Sequence, residues 1–130
     1  MSDFSNLLAV SASGMRAQSS RLRIASENIA NADTPGFRRK LLPFREVLNR
    51  ETGVELVVAG KVTLDKSELP RIYSPDHPLA DESGHYDGSN VDLIVEIADA
   101  RESQRSYEAN LRMFDQARQM ASSALELLRR

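Results

Sequence analysis

Both histidines of the chain, His77 and His85, stand in one acidic stretch with Asp76, Asp81, Glu82 and Asp87. Imidazoles and carboxylates are the side chains of zinc sites and of general acid–base chemistry. Their spacing fits neither. A zinc-enzyme helix presents two histidines four apart on one face, and no such pair exists here. Nor is the stretch a calcium loop: counted from Asp81, the sixth position is Tyr86, where that loop needs glycine. Asp81 and Glu82 are adjacent carboxylates, but nothing apolar nearby would raise either pKa. No serine lies in a Gly-x-Ser-x-Gly elbow, and no Gly-rich loop could cradle a phosphate. The expectation is therefore no catalytic residue, no metal, no cofactor and no small-molecule substrate: the chain is not an enzyme.

Composition narrows the classes further. There is no cysteine among the 130 residues, which excludes disulfides, thiol catalysis and thiolate metal sites. The 17 basic and 19 acidic residues give a net charge of −2. Arg38-Arg39-Lys40 is the nearest thing to a basic cluster, and one triplet reads as a solvated loop, so no nucleic-acid partner is expected. No segment is long and apolar enough to span a bilayer. Phe4 to Met15 is uncharged like a signal-peptide core, but Asp3 precedes it and no Lys or Arg does; the stretch is read as mature protein. Aromatic residues are only 5%, a thin supply for a core, so the fold is marginal alone or completed by partners.

The elements expected to carry function are two terminal helices. Residues 3–33 lack proline and hold one glycine, Gly14, with Ser2 or Asp3 as a possible N-cap. Asp33-Thr34-Pro35-Gly36 ends this helix: Pro35 and Gly36 suit the two central positions of a type II turn, with Gly36 at positive φ. Residues 38–88 hold four of the five prolines and four of the six glycines. Val54–Val58 and Lys61–Leu64 read as strands of a hairpin turning at Ala59-Gly60. Leu42–Val47 and Arg71–Tyr73 are weaker strand candidates, and Ser74–Asn90 reads as an irregular loop. Residues 91–129 contain no Gly or Pro and read as one long helix, with Ser89 and Asp92 spaced as a capping box. The fold class is mainly α with a small β-rich insert: paired terminal helices at 1–33 and 91–130, and an insert at 34–90.

Both helices carry a seven-residue recurrence. In the first, Met1, Leu8, Met15, Leu22 and Ile29 stand seven apart, with Ala12, Ser19 and Ser26 four positions on. In the second, Leu93, Ala100, Tyr107, Phe114, Ala121 and Leu128 stand seven apart, and Ile97, Leu111 and Leu125 accompany them four positions further. Such repeats predict coiled-coil packing of the two helices, either as a monomer core or as an assembly seam. Val10, Ile24, Ile94, Met113, Met120 and Leu127 lie off the seam and call for further neighbours, which copies of the chain would supply. Asn28, Asn31 and Asn110 are poor helix-interior residues, expected to hydrogen-bond across the helix pair and fix its register. A helical-hairpin adaptor or chaperone is the alternative of a different class, and a small metal enzyme using His77 and His85 is a second.

Asn28-Ile29-Ala30-Asn31-Ala32-Asp33-Thr34-Pro35-Gly36-Phe37 resembles the N-terminal signature of bacterial flagellar rod and hook proteins. Ser106-Tyr107-Glu108-Ala109-Asn110 resembles the C-terminal Tyr-x-Ala-Asn motif of the same axial family. Tyr73-Ser74-Pro75-Asp76-His77-Pro78-Leu79-Ala80-Asp81, followed by Gly84 and Ser89-Asn90-Val91-Asp92, resembles the C-type proximal rod branch. The resemblance implies a structural subunit of the basal-body rod, polymerising through its terminal helices into the drive shaft for motility. It implies a periplasmic rod location reached from the cytoplasm through the type III export apparatus, without a cleaved signal peptide. The implied partners are the chain itself, other rod proteins, and the junction with the inner-membrane ring and export gate. A different rod paralogue remains open.

Overall fold

The computed structural model describes residues 2–129; Met1, the first residue of the proposed seam, lies outside them, as does Arg130. The order is α1 (Ser2–Ala30), β1 (Lys40–Leu41), β2 (Phe44–Asn49), β3 (Val54–Ala59), β4 (Thr63–Leu64), β5 (Arg71–Tyr73), β6 (His85–Asp87) and α2 (Leu93–Arg129). The chain is mainly α with a small β insert. Both Ser2 and Asp3 lie inside α1, and Asp3 sits in its first turn, where a carboxylate favours the helix dipole.

α1 and α2 lie side by side and run antiparallel. Gly14 of α1 faces Asn110 of α2, while Asn28, near the end of α1, shares a cavity wall with Glu96, near the start of α2. At 37 residues, α2 is about 55 Å long. Asp92 is its N-cap: the carboxylate accepts the Ile94 N–H at 3.0 Å. The expected capping box does not close. Ser89 Oγ instead accepts the Val91 N–H at 3.1 Å, a bend two residues long that turns the chain into the cap.

The turn after α1 forms as its residues predict. Phe37 N–H donates to Thr34 C=O at 3.2 Å, and Gly36 has φ 74°. A Cβ at Gly36 would meet nothing within 4 Å, so only the backbone demands glycine there. Gly36→Val is expected to cost about 1–2 kcal/mol through left-handed strain alone; thermal unfolding checks this, and Gly36→Ala should cost less.

The insert is three antiparallel two-stranded ribbons, β1–β4, β2–β3 and β5–β6. This corrects the expected hairpin. Val54–Ala59 pairs with Phe44–Asn49, not with the segment after it, and the reversal falls at Arg50–Gly53, where Gly53 takes φ 72°. Ala59-Gly60 is no hairpin turn: Gly60 lacks positive φ and its N–H donates to Pro43 C=O at 2.7 Å, extending the β2–β3 ladder. Thr63–Leu64 pairs with Lys40–Leu41 instead. The segment 74–90 is also more regular than expected, since His85–Asp87 pairs with Arg71–Tyr73.

Candidate assembly interface

The α1–α2 contact is built from small and polar side chains. On α1, Ser11, Ala17, Ala25 and Asn28 are buried; on α2, Glu96, Ser103 and Ala117 are. Gly14 admits a close approach of the helices, since a Cβ there would lie 2.6 Å from Asn110 Oδ1. Neither Asn28 nor Asn110 bonds across the helix pair, contrary to expectation. Asn110 Nδ2 donates to Ser106 C=O in its own helix at 2.9 Å, and its amide packs against Gly14 of α1. Asn31 likewise turns inward, donating to Glu27 C=O at 2.8 Å and accepting from Thr34 Oγ1 at 3.1 Å, which closes the end of α1.

Asn28 does something else. Its Nδ2 donates to Lys40 C=O at 3.0 Å and its Oδ1 accepts Lys40 N–H at 2.9 Å. The amide thus imitates a strand partner and clasps β1 to α1. Pro35 and Gly36 reach the far side of the insert, because Gly36 N–H donates to Asp87 C=O at 3.1 Å and Gly88 C=O at 3.2 Å. Asn90 completes the tie: its Oδ1 accepts Arg39 N–H at 2.6 Å, its Nδ2 donates to Asp65 C=O at 3.1 Å, and its N–H donates to Phe37 C=O at 3.3 Å.

Arg39 joins this collar to α2. Its Nε pairs with Glu96, its Nη2 with Asp99 at 3.0 Å, and its Nη1 lies 3.8 Å from Asp65. Burial opposes the guanidinium charge, but Glu96 with Asp99 and Asp65 outweighs it and raises the Arg39 pKa. The β2–β3 hairpin packs on another face of α1: Val57 N–H donates to Ser13 Oγ at 3.3 Å, and the Arg21 guanidinium sits 3.6 Å above the Phe44 ring.

The histidine segment is held by its own hydrogen bonds. Asp81 accepts the Ser83 hydroxyl at 2.6 Å and the His85 N–H at 3.1 Å, and it pairs with Arg71; these bonds hold its carboxyl well below the usual range. His77 stacks on Tyr86 with ring centres 3.9 Å apart. Among the described residues no three acidic or histidine side chains converge as metal ligands.

The sequence-derived seam residues divide by helix. On α1, Leu8, Met15, Leu22 and Ile29 are half-buried. On α2, Phe114, Ala100 and Ala121 are half-buried, while Leu93, Ile97, Tyr107, Leu111, Leu125 and Leu128 are exposed. Of the off-seam residues, Ile24 is covered by its own chain, whereas Ile94, Met113, Met120 and Leu127 stay exposed. Ala109 lies on the exposed surface of α2 beside Asn110. The residues that sequence reading passed over are Gly14, Arg39, Asn90, Glu96 and Ser103. One signal was present for part of this set: Glu96, Ser103, Asn110 and Ala117 also stand seven apart, three positions after the stripe of Leu93, Ala100, Tyr107 and Phe114.

Residues 8–38 match the family described as Flagella basal body rod protein, and residues 82–127 match Flagellar basal body rod FlgEFG protein C-terminal. The flagellar basal-body rod protein FlgC of Agrobacterium fabrum is 42% identical over 127 residues, covering 92% of this chain and 91% of the relative. The chain belongs to the FlgC family of flagellar basal-body rod proteins. The FlgC relative from Aquifex aeolicus is 34% identical, covering 97% of this chain and 98% of its own length. That of Salmonella typhimurium is 29% identical, covering 94% and 96%. A FlgC-family chain is a structural subunit of the flagellar basal body, and the relatives are named as its rod proteins. The rod-family match over 8–38 spans most of α1, Asn28 and the Pro35-Gly36 turn. No helix among the described residues is long and apolar enough to cross a membrane.

Proposed function

We propose that this rod subunit polymerises through its terminal helices, 1–33 and 91–130, paired as a coiled coil in the assembled rod, with the insert 34–90 outside them. The observation that carries the reading is the inverted surface. Among the described residues the buried apolar ones are Ala17, Ile24, Ala25 and Ala117, while eighteen large hydrophobic side chains are exposed, eleven of them on α2 between Leu93 and Leu128. The chain exposes 9235 Å², where a compact monomer of this mass exposes about 6,900 Å². An apolar surface of that extent marks an interaction site. The seam formed between copies, and with other rod proteins, comprises Leu8, Met15, Leu22 and Ile29 of α1 with Leu93, Ile97, Tyr107, Leu111, Phe114, Leu125 and Leu128 of α2.

The FlgC relatives support a place in the basal-body rod; the reading puts the subunit in its proximal part, in the periplasm, against the junction of the inner-membrane ring and export gate. Passage through the type III export apparatus as an unfolded chain accords with a thin core and with the absence of cysteine. The test is Leu111→Asp. Leu111 is 39% exposed in the single chain, so losing its partial burial should cost the fold about 1–2 kcal/mol. The subunit should nonetheless be missing from purified basal bodies and the cells non-motile, because the seam would bury a carboxylate. Normal swimming with Leu111→Asp would refute this seam.

A further inference from the structure

A cavity of about 390 Å³ opens where the end of α1, the chain around β1 and the start of α2 meet. Six charged side chains line it: Arg21, Arg39, Lys40, Glu96, Asp99 and Glu102. Their three positive and three negative charges cancel. Four of the six are committed, since Arg39 pairs with Glu96 and Asp99, and Lys40 with Glu27. Arg21 and Glu102 enter no ion pair among the described residues. Arg21 is nevertheless held in place: its guanidinium rests 3.6 Å from the centre of the Phe44 ring. Stacking occupies the face of a guanidinium and leaves the N–H groups of its edge for a carboxylate. Ser103 is a third group without a partner. It is 1% exposed and lines the cavity, and its hydroxyl makes no hydrogen bond among the described residues. Buried hydroxyls are rarely left so.

Among the described residues the cavity thus offers an unpaired cation, an unpaired carboxylate and an unpaired hydroxyl, beside apolar wall from Ile24, Leu41, Leu42 and Pro43. A ligand with one charge would leave the opposite group desolvated and unpaired, which is costly. A zwitterion answers both, and the volume falls in the range of small-molecule pockets. We propose that the cavity binds a free α-amino acid with an apolar side chain. Its carboxylate lies on the edge of Arg21, its ammonium on Glu102, and the Ser103 hydroxyl makes the third polar contact. Its side chain lies against Ile24, Leu41, Leu42 and Pro43. The amino acid is a ligand and not a substrate. α1, the insert and α2 each contribute to the site, so the ligand stabilises their joined state over the unfolded chain. The inference goes beyond polymerisation and stands or falls apart from the helix seam.

The test titrates the full-length chain with L-leucine, followed by calorimetry and by amide NMR. Saturable binding is expected, with shifts gathered around Thr63 and Ser103 and a higher unfolding temperature. Two half-ligands probe the two charges: 4-methylpentanoate lacks the ammonium and isoamylamine lacks the carboxylate. Each should bind at least tenfold more weakly than leucine, as should leucine itself to Glu102→Gln. Ser103→Ala removes a hydroxyl that has no partner, so it should fold as well as the native chain and still bind leucine more weakly. No saturation at millimolar leucine overturns the proposal and means that the Ser103 hydroxyl is met by water alone. A half-ligand that binds as tightly as leucine also overturns it. If the free chain is unfolded in dilute solution, isolated basal bodies replace it. Those with the native chain should retain at least tenfold more labelled leucine than those with Glu102→Gln. Equal retention overturns the proposal, and so does failure of the Glu102→Gln chain to be incorporated, which would mean that a neighbouring protein fills the cavity.

Discussion

Arg39→Met is expected to destabilise the folded chain by about 3–5 kcal/mol, the cost of leaving a buried carboxylate without its partner. The Glu96 side chain is 2% exposed, and the Arg39 guanidinium is its one charged neighbour among the ion pairs of the described residues. Removing the guanidinium also frees Asp99 and Asp65, so the first turns of α2 lose their hold on the insert. Arg39→Lys should recover only part of the loss, because an ammonium lacks the fork that reaches three carboxylates at once. Exchanging both partners, Arg39→Met with Glu96→Met, should recover most of it, since a buried ion pair gives little net stability over apolar residues of similar size. Chemical denaturation of the four chains checks this. A loss below 1 kcal/mol for Arg39→Met would mean that water reaches Glu96.

Asn28→Ala is expected to cost about 2–5 kcal/mol. It strands the Lys40 N–H and C=O together, and each unpaired buried backbone group costs about 1–3 kcal/mol. Asn28→Asp should be no remedy, because a carboxylate can accept the Lys40 N–H but offers no hydrogen to its C=O. Native-state hydrogen exchange gives a local readout: the Lys40 amide should lose its protection in Asn28→Ala. An amide that remains protected would show that β4 alone holds the strand.

Much of this architecture was legible because local chemistry decides it. Pro35 and Gly36 fix their turn by backbone sterics, and Gly36 adopts the positive φ that the pair requires. The absence of glycine and proline over 91–129 leaves α2 uninterrupted. The misread hairpin shows the opposite case. Ala59-Gly60 and Arg50–Gly53 both offer a glycine beside β-branched residues, and tertiary placement on α1 chooses between them: Val57 must meet Ser13 while Phe44 meets Arg21. Asn110 failed for a related reason. Its type signals a hydrogen bond but not a direction, and the space made by Gly14 brings the helices so near that the amide bends back to Ser106. Arg39 and Glu96, 57 positions apart, carried no local signal of their pairing.

The Asn28 clasp spans only 12 positions, and the β2–β3 ribbon closes on itself within the next stretch of chain. Loops of about ten residues close in roughly 10–100 ns. The joining of α1 to α2 must wait for the start of α2, beyond Leu93. A chain delivered N-terminus first can therefore set its leading third while α2 is still absent. Low contact order at the head and high contact order between the ends give this molecule a directional folding sequence: the Asn28 clasp forms on arrival, the ties to Asn90 follow, and the helix pair closes from Glu96 towards the last turn of α2.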